Sequence, residues 1–249
     1  MATAYGRPRP GLEALLADPP KIHAHEGKIV LWGLPTPVLE FLDRNVSQSS
    51  RTLETGAGLS TILFALKAST HTCVTPSPEE VTRIRNYCKE KNIPDKSVDF
   101  HLGFSTNVLP KLAAIELDLA LIDGGHGFPT VFMDWYYISS WLKIGGLLII
   151  DDLQIWTGGI LKEFVNAERE WELIEIFENK TAVFVKKEEY LPWKDFGGQP
   201  YVIQQSQQGG TPESKLRKGL RLMRRGQFVA LAKKAGNYVL RGRPGARTP

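Results

Sequence analysis

The sequence predicts an α/β fold, in which a mostly parallel sheet carries helices on both faces. From residue 51 onward, short apolar runs alternate with stretches of helical periodicity. Two of the runs, at 119–122 and 146–150, are almost uninterrupted apolar sequence, which is typical of buried parallel strands. A turn with two glycines, Gly56 and Gly58, connects the first strand to its helix. Alternating strands and helices of this kind indicate a parallel sheet.

The elements of this fold follow one another from residue 51. Ser77-Pro78-Glu79-Glu80 forms a capping box at the start of one helix. Asn179-Lys180 separates two final strands, 171–178 and 181–187, which form an antiparallel hairpin and bring the sheet to seven strands. The other strands are predicted at 51–55, 71–75, 97–102, 117–122 and 146–150, and the helices at 59–66, 78–91, 105–112, 131–145 and 159–170.

The chain divides into three segments by pattern. Residues 1–48 are predicted to be an N-terminal cover or lid, with a short helix at 11–17 and a second helix capped by Thr36. His23 and His25 lie in this cover, either as part of a lid over the site or as solvated loop residues. Residues 49–190 form the core, and 191–249 form a loop and a basic helical tail.

Composition and the N-terminal sequence predict a globular protein without a membrane span. The chain has 249 residues, of which 42% are hydrophobic and 23% charged, as in ordinary globular proteins. No apolar run approaches the ~20 residues of a membrane span. The N-terminus lacks the apolar centre of a signal peptide, which predicts a cytoplasmic location. Cys73 and Cys88 form no CxxC pair and are predicted to be reduced core residues.

The C-terminal tail carries the basic charge of the protein. Residues 212–249 contain eleven Lys or Arg and a single acid, Glu213, so the tail is +10 and the rest of the chain is −6. Leu216, Leu220 and Met223 share one helical face. This pattern is typical of peripheral contact with an anionic membrane. Two alternatives are a docked helix with a solvated basic face and a nucleic-acid-binding surface.

Three carboxylates and an imidazole follow the two apolar strands. Asp123 and His126 come after one strand, and Asp151 and Asp152 follow the next. Because ligands bind beyond the carboxyl ends of parallel strands, these groups are expected at the functional edge. Histidine suits a general base near neutral pH, and Mg²⁺ prefers carboxylate oxygens. The alternatives are that the aspartates cap helices or contact the cofactor, and that His126 is structural.

Three sequence stretches together resemble one enzyme family. ETGAGLST at 54–61, LIDGGHGFPTVFMDW at 121–135 and GGLLIIDD at 145–152 are similar to class I S-adenosylmethionine-dependent methyltransferases. The resemblance covers about residues 50–187 and implies a Rossmann-like fold. It is closest to the branch with an Asp-x-x-His motif, several members of which methylate hydroxyls of sugars or natural products with Mg²⁺ bound.

The resemblance implies a role for each matching residue. His126 would be the general base, with Asp123 also lining the methyl-transfer site. Mg²⁺ would be held by Asp123, Asp151 and Asp152. The cofactor-binding positions would be Glu54, Gly56, Gly58, Ser60, Gly103, Ser105 and Asp123. The sequence departs from the family at the end of the second strand, where Thr75 and Ser77 stand without an acid, so the ribose contact is open.

The sequence thus predicts an S-adenosylmethionine-dependent methyltransferase that acts on a hydroxyl of a small molecule or sugar. One alternative is a methyltransferase that works without metal. Another is a catalytically inactive binding protein on the same fold, which acts through its basic tail. A homo-oligomer is compatible with either.

Overall fold

A computed structural model describes residues 10–25, 28–30 and 33–208. The chain forms two compact units, Met1–Lys194 and Asp195–Pro249. In its described part the second unit holds one 3₁₀ turn, Phe196–Gly198, and a helix, Pro200–Gln208. The predicted tail helix after residue 212 lies outside the described residues. Within the part that is described, no helix is both long and apolar enough to cross a membrane.

A seven-stranded sheet forms the centre of the first unit and confirms the predicted fold class. Its strands are β3 Arg51–Thr55, β4 Thr70–Thr75, β5 Val98–Leu102, β6 Leu117–Ile122, β7 Leu142–Ile150, β8 Trp171–Phe177 and β9 Thr181–Lys186. They lie in the order β5-β4-β3-β6-β7-β9-β8. The first five in this order run parallel to one another, while β9 is antiparallel to both β7 and β8.

Helices flank this sheet in two layers. The first four helices contribute to one apolar core, which reaches the sheet through residues such as Leu119, Leu121 and Ile149. The helix after β6 contacts β6, β7 and the helices before and after it in the chain. The bounds are α1 Pro10–Ala17, α2 Thr36–Asn45, α3 Leu59–Leu66, α4 Pro78–Glu90, α5 Ser105–Val108, α6 Thr130–Trp141 and α7 Trp156–Ala167.

A two-stranded antiparallel sheet in the N-terminal region was not predicted. It pairs β1 (His23–His25) with β2 (Lys28–Val30). Each strand has three residues, which is too few for an alternation of apolar and polar residues to be recognised in the sequence. Thr36 is also not the cap of α2, because Pro35 occupies that position and Thr36 is already helical.

The boundary between α6 and β7 differs from the prediction. The helix ends at Trp141 and the strand begins at Leu142, four residues before the predicted Gly146. Leu142 pairs with Leu117, and the register shifts between Leu117 and Leu119. Gly145 has a φ of 82°, which only glycine adopts freely. Pairing across the sheet therefore outweighs the helical periodicity of this stretch.

Candidate active site

The candidate site lies where β3 and β6 are neighbours. Strand order reverses at this point, and ligands in open α/β sheets bind at such a switch point. Gly56 has a φ of 94°, and a Cβ added there would collide with the carbonyl oxygen of Asp123. The amide of Asp123 donates to Thr55 O over 3.1 Å, and that of Asp151 donates to Ile122 O over 3.0 Å. These contacts bring together the loops that follow three adjacent strands.

Glu54 is enclosed in a hydrogen-bonded network beneath the glycine turn. The side chain is 1% exposed. Ser60 Oγ donates to Glu54 Oε2 over 2.6 Å, while Thr61 and His71 bond to Oε1, the latter over 3.0 Å. Both carboxylate oxygens thus accept hydrogen bonds from protein side chains, and these bonds stabilise the turn through Gly56 and Gly58. Direct cofactor contact by Glu54 and Ser60 stays a prediction.

His23 reaches over the glycine turn from the N-terminal region. A Cβ added at Gly58 would lie 3.5 Å from His23 Nε2. His23 Nδ1 lies 2.9 Å from Glu80 Oε1, and Thr75 Oγ1 donates to Glu80 Oε2 over 3.3 Å. The interpretation of His23 as a solvated loop residue is therefore wrong, while the side chain of His25 lies outside the described ones.

The predicted capping box at α4 forms only in part. Ser77 Oγ accepts from the amide of Glu80 over 3.2 Å, as predicted. The amide of Ser77, however, donates to Thr75 Oγ1 over 3.3 Å. The Glu80 carboxylate instead turns toward the end of β4, where it bonds His23 and Thr75. A carboxylate thus stands at the position where the sequence left the ribose contact open.

Asp134 is a buried acid beside the predicted adenine loop, and the sequence reasoning missed it. Its side chain is 0% exposed, and neither carboxylate oxygen completes a hydrogen bond with a described residue. Burial raises the pKa of Asp134 to about 6, against the lowering effect of the Ser105 and Thr55 hydroxyls. Its spacing from Val131 and Ile138 places it on the buried face of α6, which was the available signal.

Three of the predicted acceptor-side residues lie together. His126 Nε2 is 3.0 Å from Asp152 Oδ2. Nitrogen or oxygen atoms of Asp123, His126 and Asp152 all lie within 4.8 Å of one another. Asp152 has a φ of 54°, a left-handed conformation that aspartate tolerates better than most residues. The loop after β7 thereby directs its carboxylate at the imidazole.

Asp151 is separated from this group by its own partners. The carboxylate is buried, and Thr181 Oγ1 donates to Oδ1. Lys180 Nζ donates to Oδ2 over 2.9 Å and lies 3.5 Å from Asp152 Oδ1. Burial lowers the pKa of Lys180, but its bond to Asp151 and the nearby carboxylates outweigh this effect and raise the pKa. Lys180 was not singled out from the sequence.

The surroundings of Asp123 shift the pKa of its carboxyl group. Burial, followed by the charges of Asp151 and Asp152, raises the pKa of Asp123 well above its usual range. Lys180 acts in the opposite direction.

The predicted Mg²⁺ ligands do not form a free ligand set. Asp151 offers its two oxygens to Thr181 and Lys180. Gln154 Nε2 donates to Asp152 Oδ1 over 2.6 Å, and His126 takes Oδ2. Mg²⁺ requires several oxygens in octahedral geometry. Four of the six carboxylate oxygens are already bonded to protein donors, so the residues present do not fit the ion.

Large apolar side chains are exposed beside this group. Phe128 is 73% exposed and Trp156 is 66% exposed. The hydroxyl of Thr157 donates to the carbonyl of His126, which ties the start of α7 to the loop after β6. Phe128 and Trp156 therefore both flank the loop that carries the imidazole.

The central part of the chain is similar to known proteins. Residues 53–153 match a family model described as a methyltransferase domain. Over these residues the chain is similar to a methyltransferase domain. The structure of cofactor-bound Rv0187 from MTB has a TM-score of 0.57 at 18% identity, covering 75% of this chain and 94% of that one. The O-methyltransferase TomG from Streptomyces achromogenes, involved in tomaymycin synthesis and in complex with SAM, gives 0.52 at 13%, over 63% and 82%. No curated protein matches the sequence.

The methyltransferase domain and its fold support an S-adenosylmethionine-dependent methyltransferase. All ten predicted site residues, from Glu54 to Asp152, fall within the matched residues. His23 and Lys180 fall outside them. Two side chains that contact the candidate site therefore come from segments before and after the matched residues.

Proposed function

We propose that the protein transfers the methyl group of S-adenosylmethionine to a hydroxyl of a small molecule. The pair of His126 and Asp152, with nitrogen and oxygen 3.0 Å apart at the switch point, carries this proposal. An imidazole held by a carboxylate is suited to accept a proton from a nucleophile. The pair lies beside the turn through Gly56 that is proposed to bind the cofactor.

The cofactor is proposed to bind along the carboxyl ends of β3, β4 and β5. When bound, it supplies a methyl group activated by the positive charge on sulfur. Gly56 and Gly58 are proposed to approach its methionine end, while Gly103 and Ser105 lie along the adenine. Glu80 and Thr75 are the proposed ribose contacts. Strand β4 itself ends without an acid, but the Glu80 carboxylate lies at that end, hydrogen-bonded to Thr75. Glu54 and Ser60 support the turn.

His126 is proposed to accept the proton of the acceptor hydroxyl. Asp152 orients the imidazole and stabilises the positive charge that it gains. When bound, the cofactor would supply its methyl group to that oxygen, and the sulfur would keep the electron pair of the broken carbon–sulfur bond. Asp123 lines the same space. In-line geometry and correct positioning supply most of the rate enhancement in such a displacement. No step is assigned to Mg²⁺, since four of the six oxygens of its predicted ligands are bonded to protein donors.

The exposed rim favours an acceptor with an apolar face. Phe128 and Trp156 flank the His126 loop and have most of their surface open. Burial of aromatic surface is a large source of binding free energy. We therefore favour a hydroxyl on an aromatic or otherwise apolar small molecule over a free sugar.

The basic tail supports a separate proposal. Its charge of +10 over residues 212–249 is suited to an anionic membrane surface, which would make the enzyme peripheral at the membrane. A nucleic-acid partner and a homo-oligomer stay alternatives.

Binding of S-adenosylhomocysteine tests the proposed function. A ligand that binds only the folded protein raises its melting temperature, so saturating S-adenosylhomocysteine is expected to raise Tm. Transfer of labelled methyl groups to a panel of phenols, apolar alcohols and sugars then tests the acceptor. A catalytically inactive binding protein on this fold would show the Tm shift with no transfer, and absence of both results would refute the proposal.

A further inference from the structure

We propose that Lys180 takes the place of a divalent cation in this chain and holds the carboxylates of the site in position without bound metal. The inference deepens the proposed function and rests on it. It starts from a disagreement between the implied Mg²⁺ site and the side chains that occupy it.

The ammonium group lies against two of the three carboxylates of the site. Lys180 Nζ is 2.9 Å from Asp151 Oδ2 and 3.5 Å from Asp152 Oδ1. Its charge also acts on Asp123. A single positive charge thus contacts two acids that the sequence assigns to Mg²⁺ and influences the third. An ion placed among them would meet the ammonium at short range, and like charges at that range repel strongly.

The backbone holds Lys180 in this place. Glu178 and Asn179 have φ values of 50° and 54°, and the amide of Lys180 donates to Phe177 O over 2.8 Å. Positive φ at both central residues is typical of a type I′ hairpin turn. The carbonyl of Lys180 accepts from the amide of Leu153 over 2.9 Å. The hairpin and the loop after β7 are therefore joined at the residue that carries the charge.

A further contact fixes the end of the side chain. Lys180 Nζ donates to the carbonyl of Gly33 over 3.0 Å, just before α2. Thr181 occupies the other oxygen of Asp151. The ammonium is thus bonded on several sides, as a bound cation is by its ligands. It also links the carbonyl of Gly33, in the N-terminal segment, to the Asp151 carboxylate.

Mn²⁺ binding by the full-length protein tests the inference independently of activity. We expect no specific binding of millimolar Mn²⁺ to the wild type, measured by titration calorimetry and electron paramagnetic resonance. K180M removes the charge at similar side-chain volume, and we expect it to bind Mn²⁺ at least tenfold more tightly. K180R keeps the charge and is expected to behave as the wild type. K187M is the matched control, because Lys187 pairs with exposed Glu172 away from the site.

Two outcomes would overturn the inference. Stoichiometric Mn²⁺ binding by the wild type that is lost in D152N would show that the carboxylates hold metal despite Lys180. If a folded K180M variant failed to gain Mn²⁺ binding, Lys180 would not substitute for a cation. Thermal melting establishes folding of each variant. The Tm shift with S-adenosylhomocysteine reports separately on the proposed function, so the two failures are distinguishable.

Discussion

At the scale of single residues, the imidazole of His126 is the proposed general base. It is paired with Asp152 and is 32% exposed, so it can reach a substrate while its orientation is fixed. H126A is expected to lower kcat by about 10²- to 10⁴-fold, which is the usual contribution of a general base. Steady-state kinetics with the identified acceptor measures this loss.

The control for His126 is another exposed histidine with an acidic partner. His101 Nε2 lies 2.9 Å from Asp99 on β5, with the imidazole 31% exposed. H101A is expected to leave kcat close to the wild-type value. Unchanged turnover in H126A, with the Tm shift by S-adenosylhomocysteine retained in both variants, would eliminate His126 as the base.

Asp134 has a role in stability that depends on pH. The pKa of its buried carboxyl is raised to about 6, so the folded state binds a proton more readily than the unfolded state. This group therefore destabilises the fold progressively as pH rises from about 4 to about 6, and the cost persists at higher pH. D134N removes the charge, and we expect it to stabilise the protein at pH 8 by up to about 3 kcal/mol.

Urea denaturation of wild type and D134N at several pH values measures that difference. Most of the difference is expected to be lost near pH 4, where the folded-state carboxyl is protonated and the unfolded-state carboxyl is close to half protonated. A stability difference that is the same at pH 4 and pH 8 would contradict the role of ionisation.

At the scale of elements, the turn between β3 and α3 depends on glycine at one position more than at the other. Gly56 has positive φ, and its missing Cβ leaves room for the backbone of Asp123. Gly58 has a φ of −169°, which is extended backbone, and only ordinary contacts surround it. G56A is expected to destabilise the fold by about 2 to 4 kcal/mol, and G58A by less than about 1 kcal/mol.

The two variants are matched, because both add one methyl group to the same turn. Urea denaturation at neutral pH gives both free energies of unfolding. Equal losses would mean that the approach of β3 and β6 does not impose the requirement for glycine at position 56.

At the scale of the whole molecule, the exposed aromatic rim is expected to set acceptor preference. W156A removes a side chain that is 66% exposed, and we expect KM for an apolar acceptor to rise roughly tenfold with little change in kcat. W193A removes an equally exposed tryptophan outside the methyltransferase domain and serves as the control. An unchanged KM in W156A would remove the argument for an apolar acceptor.

The basic tail is expected to act independently of the site. Deletion of 212–249 removes a charge of +10 and should weaken co-sedimentation with vesicles rich in anionic lipid. The Tm shift with S-adenosylhomocysteine should remain. If the intact protein fails to bind such vesicles at low ionic strength, the membrane proposal is contradicted.

The fold class could be predicted because its signals are local and strong. Continuous apolar strands such as β6, the glycine turn after β3 and the hairpin around Asn179 each have a short-range sequence signature. Boundaries that depend on pairing, such as the start of β7 at Leu142, could not be predicted. Strand partners distant in sequence fix them.

The sequence by itself determined the kind of sheet, the edge that carries the site, and the set of acids and imidazole there, because strand ends follow directly from apolar runs. Only the tertiary structure decided how those groups are shared. It paired His126 with Asp152, placed His23 over the glycine turn, and brought Lys180 to Asp151 from 29 residues away. Hydrogen bonds between distant segments depend on how the chain packs, and no local sequence pattern predicts which donor bonds to which carboxylate.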